Sequence, residues 1–175
     1  MKKIVVNDTN VFIDLCNVEL LEAFFMLPWE VHTTEFVMLE LLREEQNEKV
    51  AKYKTDGRLH IPVFEPHELT AIIELKEKAG VSLTDGSVWY YAKTHSFVLL
   101  TGDRKLRQAS YLDSVEVHGI IYVFDELVAE GILPPTMAID KLKDLQKSNP
   151  RLPKDEIDKR IELWNNQLDK EGGPA

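Results

Sequence analysis

The chain has 175 residues, 44% of them hydrophobic, with 21 basic and 30 acidic side chains and a formal charge of −9. That length suits one domain with a substantial core, and the composition excludes a disordered or fibrous chain. The acidic balance excludes nucleic-acid binding through bulk charge, so any such contact requires a local basic patch and cations that offset an acidic site.

No run of about 18 apolar residues is present, so the sequence predicts no membrane span. Met1-Lys2-Lys3 leads straight into a strand without a signal-peptide core, and a single cysteine, Cys16, cannot form an internal disulfide. Cys16 is expected in the core of the first helix, and the compartment is expected to be a reducing cytoplasm.

Ile4-Val5-Val6 is a β-branched run that reads as a buried strand. It stops at Asn7-Asp8-Thr9-Asn10, and Val11-Phe12-Ile13 resumes the apolar pattern as a helix. Val18 to Leu27 reads as a second short helix ended by Pro28, and Trp29 to Thr33 alternates as a strand. Thr34 is a good N-cap for a long helix, Glu35 to about Tyr53, whose first turns (EFVMLELLR) are apolar nearly all round except for Glu40. Asp56-Gly57 is a turn. Leu59 to Phe64 reads as a strand that Pro62 assigns to an edge. Pro66 to Lys78 is an amphipathic helix ended by Gly80, and Ser82-Leu83-Thr84-Asp85 opens another that runs to about His95. Phe97 to Leu100 is a strand ending in Thr101-Gly102-Asp103. A short basic helix (Arg104 to Tyr111), a strand (Val115 to His118) and a largely helical segment (Ile121 to Glu130) follow. Alternating strands and helices predict an α/β fold with a mostly parallel sheet covered on both faces. Past Gly131, Pro134-Pro135 breaks the chain. Two helices follow, Met137 to Lys147 and Lys154 to Gln167, with stripes (Met137, Ile139, Leu142, Leu145; Ile157, Ile161, Trp164, Leu168) that must cover something. Lys170 to Ala175 reads as a frayed tail.

Four carboxylates occupy unusual places. Asp8 and Asp103 each follow an apolar strand, Asp85 opens a helix at capping-box spacing from Ser82, and Glu40 stands alone in FVMLELL. Each aspartate has a plain alternative as a helix cap. Glu40 has a weaker one, because a lone buried charge is costly unless a cation or a wet cleft receives it. Together the four can converge on the C-terminal edge of the sheet, where open α/β sheets gather ligands. Close carboxylates repel, and Mg²⁺ or Mn²⁺, which prefers oxygen ligands and keeps several waters, would relieve that repulsion. Such a centre suits metal-assisted phosphodiester hydrolysis.

In order, NDTN around Asp8, Glu40 in the helix after the second strand, LTDGS around Asp85 and LLTGDRKL around Asp103 resemble the PIN-domain ribonucleases, typified by VapC-type toxins of prokaryotic toxin–antitoxin pairs. The resemblance covers about residues 1 to 130, and the GILPP…RLPKDEI tail is similar to a subset with extra C-terminal helices. Gly86 departs from the alanine that family members commonly carry, which would loosen the helix start. The resemblance implies a three-layer α/β/α fold with a PIN-like nuclease domain over 1–131; the apolar stripes beyond it predict a helical extension over 132–169 packed on that domain or on a partner, and 170–175 reads as a disordered tail. The resemblance also implies a metal-dependent endoribonuclease in which Asp8, Glu40, Asp85 and Asp103 hold one or two Mg²⁺ or Mn²⁺ ions. Thr9, Asn10 and Thr101 would orient the carboxylates or metal waters. Single-stranded or looped RNA is the implied substrate, with an antitoxin protein and a second copy of the chain as partners.

Lys93 and His95, closing one helix, and Arg104, Lys105 and Arg107, directly after Asp103, are the residues expected to contact RNA phosphates. Trp89, Tyr90 and Tyr91 could stack on bases, though core packing is the stronger reading for them. The five histidines lack metal-ligand spacing and read as structural. Two rivals stand beside the nuclease. One is a PIN-like module that binds RNA or protein without cutting, which the net charge favours and the intact carboxylates at all four positions disfavour. The other is a metal-dependent phosphatase or acidic receiver, which the single acid in Asn7-Asp8 disfavours.

Overall fold

Five strands form one sheet in the order β3-β2-β1-β4-β5: β1 (Lys3–Asn7), β2 (Trp29–His32), β3 (Leu59–His60), β4 (Val98–Leu100) and β5 (Val117–His118). This computed structural model describes residues 2–42 and 46–171. Every pairing is parallel, so the connections are helices that cover both faces of the sheet. The chain builds outward from β1 to β2 and β3, then returns to place β4 on the other side of β1. The β1–β4 boundary is therefore the point at which strand order reverses, and the C-terminal edge of such a switch point is where open α/β sheets bind ligands.

The first helices are α1 (Thr9–Asn17) and α2 (Leu21–Met26). The second is shorter than its apolar run, because Glu19 turns through a positive φ of 58° between them. The long helix expected from Glu35 is instead two, α3 (Glu35–Leu41) and α4 (Asn47–Thr55); residues 43–45 between them lie outside the described residues. A single helix would carry Tyr53 steadily outward at about 1.5 Å per residue. With two, Tyr53 lies flat on Phe25 with ring centroids 3.8 Å apart, and Val50 is fully buried. α3 is also less enclosed than its composition implies. Val37, Met38 and Leu41 face the core, while Leu39 and Leu42 are 53% and 63% exposed and Glu40 is exposed with them. The burial argument for Glu40 is thereby corrected: a helix with one inner face leaves that position in the open.

β3 pairs over only two residues at the sheet edge, as Pro62, which lacks an N–H to extend the ladder, foreshadows. α5 (Pro66–Ala79) ends at Gly80 in the left-handed region, φ 63°, and α6 (Leu83–His95) starts from the Ser82 capping box. Gly86 has a packing role rather than loosening the helix. A Cβ there would meet the Ile72 carbonyl oxygen at 3.2 Å and Lys76 Cβ at 3.3 Å, so its absence lets α5 approach α6. α7 (Arg104–Leu112) and α8 (Ile120–Ala129) complete the α/β unit; α8 is helical from its start.

α9 (Pro135–Ser148) packs on α1 and α8, and α10 (Lys154–Glu171) packs on α9. Ile139, Leu142, Leu145, Ile157 and Trp164 are buried in the same core as the sheet, whereas Met137 is 48% exposed. α10 runs through Glu171; the rest of the expected tail, 172–175, lies outside the described residues. Polar ties reinforce the seam. Arg160 Nε donates to both Asp125 oxygens at 2.9 Å, and Asn149 Nδ2 donates to both oxygens of the buried Asp14 at 3.2 and 3.1 Å. No helix among the described residues is long and apolar enough to cross a membrane.

Burial pushes the Asp14 carboxyl up to about 6 from 3.8, against the opposing pull of the Asn149 amide. The folded chain thus holds a proton that the unfolded chain releases, and stability is lost as pH rises from about 4 to about 6. Asp14→Asn is expected to remove that loss. Thermal unfolding should find the variant more stable than wild type at pH 8, by on the order of 2 kcal/mol, and indistinguishable at pH 4.

Candidate active site

Each acidic side chain is delivered by the local chemistry of a strand end or a helix start. Asp8 leaves β1 and N-caps α1, its Oδ1 accepting Thr9 N–H at 2.7 Å. Thr101, at the end of β4, donates its hydroxyl to Asp8 Oδ2 at 2.7 Å and accepts Asp103 N–H at 3.0 Å. Asp103 N-caps α7 through Leu106 N–H at 2.7 Å. Asp85 Oδ2 accepts Ser82 N–H at 3.1 Å within the capping box. Thr9 Oγ1 donates to Glu40 Oε2 at 3.0 Å, joining α1 to α3. The cap reading therefore holds for all three aspartates, and it does not compete with convergence. A capping bond engages one carboxylate oxygen and holds the group at the sheet edge.

The acidic charges act on one another. Burial raises the Asp8 carboxyl to about 7; the Thr101 hydroxyl and Thr9 N–H oppose this, while the charges of Asp85 and Glu40 push it further up. Burial also raises Asp85, its bonds from Ser82 lower it, and the charges of Asp103 and Glu40 add to the rise. Glu40 Oε1, Asp85 Oδ1 and Asp103 Oδ2 accept no hydrogen bond among the described residues, so each of these groups keeps an oxygen for a ligand. Asn10 Oδ1, two residues after Asp8, is buried without a hydrogen-bond partner among the described residues. Among the described residues no three acidic, His or Cys side chains form a ready-made metal cage. Hard divalent cations do not require one, since Mg²⁺ is commonly held by one or two carboxylates, its own waters and substrate phosphate. An all-oxygen donor set in which burial and acidic neighbours raise Asp8 and Asp85 fits such an ion.

The basic residues divide. Arg107 Nη1 donates to the Thr101 carbonyl at 3.3 Å, next to the acidic edge, and Arg104 is exposed at the start of α7. Lys105 is bonded to the Gly80 carbonyl. Lys93 is not brought to the site. α6 runs away from the acidic edge, so Lys93 lies about 12 Å along the helix from Asp85, paired with Asp113 at 2.7 Å; His95 is farther still. Trp89 and Tyr91 are buried, as core packing requires. The histidines read as scattered are partly gathered. His32 stacks on His60 at 4.9 Å and bonds Tyr91 Oη and Glu30 Oε1 at 2.9 and 2.8 Å. With both ring nitrogens engaged, His32 is structural.

Three buried hydroxyls at this edge carried no signal as site residues in the sequence: Thr33, Thr34 and Ser87. Thr34 was legible only as a cap, and a serine two residues after Asp85 looks like any other serine.

A five-stranded parallel α/β domain with Asp8 and Asp103 linked through Thr101 at the strand-order reversal defines the class. Within that class the chain belongs to the PIN domain family, whose model matches residues 4–166, taking in α9 and most of α10. No curated protein matches the chain. Among solved structures it is similar to PAE2754 from Pyrobaculum aerophilum, with a TM-score of 0.54, 16% identity, and 73% of this chain and 96% of that one covered. That likeness is one of fold. FitAB bound to an IR36 DNA fragment (TM-score 0.46, 17% identity, 66% and 94% covered) and FitAcB from Neisseria gonorrhoeae (0.42, 20%, 65% and 95%) are weaker matches.

Proposed function

We infer that the protein is a Mg²⁺- or Mn²⁺-dependent endoribonuclease. The observation that carries this reading is the link of Asp8 through the Thr101 hydroxyl to Asp103 at the β1–β4 switch point, with the carboxyls of Asp8 and Asp85 raised by burial and by the charges of Glu40 and their other acidic neighbours. These four would hold the cation. Asp8 is presented by Thr9 and Thr101 and Glu40 by Thr9, with Asn10 adding a buried oxygen. When bound, a divalent cation lowers the pKa of its water and neutralises charge that builds on a phosphodiester. Arg104 and Arg107 flank this edge and are the side chains best placed to receive RNA phosphates; Lys105 would have to release Gly80 to do so. The VapC-type resemblance of the NDTN, LTDGS and LLTGDRKL segments supports a toxin role, with an antitoxin that offers Arg or Lys to the carboxylates and a homodimeric assembly. A reducing cytoplasm is the matching compartment.

A non-cutting module is the second reading, favoured by the net charge of −9 and by the engagement of Lys93 and Lys105 within the chain. Incubation of a mixed-sequence single-stranded RNA with the protein in EDTA, Mg²⁺ or Mn²⁺, beside the Asp8→Asn/Asp103→Asn double variant, separates the two. Cutting that needs the cation and vanishes in the double variant is the result expected of the nuclease. Absence of cutting under every metal, with no heat of metal binding, would assign the protein to the module.

A further inference from the structure

The hydrogen bonds described above connect three of the four carboxylates. Thr101 bridges Asp8 and the backbone of Asp103, and Thr9 bridges the Asp8 segment and Glu40. Among the described residues, the Asp85 carboxylate is bonded only within its own loop, to Ser82. Its segment is tied to the others elsewhere. Thr34 Oγ1 accepts Val37 N–H at 3.4 Å and lies 2.7 Å from Ser87 Oγ, which donates to the Thr84 carbonyl at 2.7 Å. A serine has one hydroxyl proton. With that proton committed to Thr84, Thr34 is the donor to Ser87. A continuous run of bonds therefore joins the first turn of α3 to the first turn of α6. Glu40 lies one turn beyond Val37, and Asp85 directly follows Thr84. Thr33, next to Thr34, donates to the Asn7 carbonyl at 2.7 Å and pins the same loop to the end of β1. Thr33, Thr34 and Ser87 are all fully buried.

Hydroxyls in such a place are costly unless bonded; here each is bonded, and bonds fix direction as well as distance. We propose that the Thr34–Ser87 hydroxyl pair is a positioning device that sets the gap between Glu40 and Asp85, and so the geometry offered to a divalent cation. This rests on the nuclease reading. Partners that orient metal-binding groups typically affect metal affinity or activity by 10- to 100-fold. Ser87→Ala is accordingly expected to weaken Mn²⁺ binding by about tenfold or more in calorimetry. It should lower kcat for RNA cleavage with little change in KM, at a temperature where circular dichroism shows the fold intact. Thr34→Val should do the same, and Thr34→Ser, which keeps the hydroxyl, should recover most of the loss. The Thr34→Val/Ser87→Ala double variant should weaken Mn²⁺ binding by less than the product of the two single losses, because the Thr34–Ser87 bond is lost in each of them. A merely structural pair would lower the melting temperature but leave Mn²⁺ affinity and kcat at wild-type values. That outcome, in a wild-type protein that binds Mn²⁺ and cuts RNA, overturns the positioning role and leaves the nuclease standing. A wild type that neither binds Mn²⁺ nor cuts RNA discards both.

Discussion

Asp8→Asn is expected to lower kcat/KM for RNA cleavage by about a thousandfold, the scale of losing one pre-organised electrostatic group, while the chain stays folded. At 1.36 kcal/mol per decade this is about 4 kcal/mol of transition-state stabilisation. The same change should make the metal-free protein more robust at high pH. Asp8 is raised from 3.8 to about 7 by burial, with Asp85 and Glu40 adding to the rise. Its folded state therefore retains a proton that the unfolded chain loses, and stability falls as pH rises through the window from about 4 to about 7. The neutral amide has no such window. In EDTA, the melting temperature of wild type should fall between pH 5 and pH 8 by more than that of Asp8→Asn, and Mg²⁺ or Mn²⁺ should restore wild type but not the variant. A variant that unfolds, with unchanged activity per folded molecule, would reduce Asp8 to a helix cap.

Deletion of residues after Gly131 is expected to yield an aggregating chain rather than a smaller working enzyme. α9 covers α1 and α8, and its removal bares an apolar face that continues the core; exposed patches of that kind drive association. The milder test is Trp164→Ala. Trp164 is 2% exposed and among the largest fully buried side chains, and truncations of that type cost about 3–5 kcal/mol. For a chain of this length, that lowers the melting temperature by roughly 10 °C. Light scattering and calorimetry would read both changes. A truncated chain that remained monomeric and cut RNA as well as the full chain would make the terminal helices an independent appendage.

How legible the protein is from its sequence varies with the range of the interaction. Local rules located the strand runs at Val5 and Val98, the caps at Thr34, Ser82 and Asp103, the Gly80 stop and the order of the acidic segments. They succeeded because each depends on backbone groups a few residues away: a capping oxygen meets an N–H within one turn, and a β-branched run needs only neighbours to pack against. The same rules overextended the helix after Thr34, since nothing local reports that Tyr53 will find Phe25. They placed Lys93 beside the site because chain order alone does not convey that a 13-residue helix carries its far end to the other edge of the sheet. Glu40 was singled out as a buried charge. The tertiary structure exposes it and holds it through Thr9.

By itself, then, the sequence determined the alternation of elements and the residue types that can bind a hard cation, because periodicity and capping are encoded over short spans. The tertiary structure decided the all-parallel β3-β2-β1-β4-β5 order, the reach of Asn149 across the fold to Asp14, and the meeting of Thr34 with Ser87. Those contacts join residues 53 to 135 positions apart. Their partners are chosen by how helices pack on a closed core, which no short window of sequence contains.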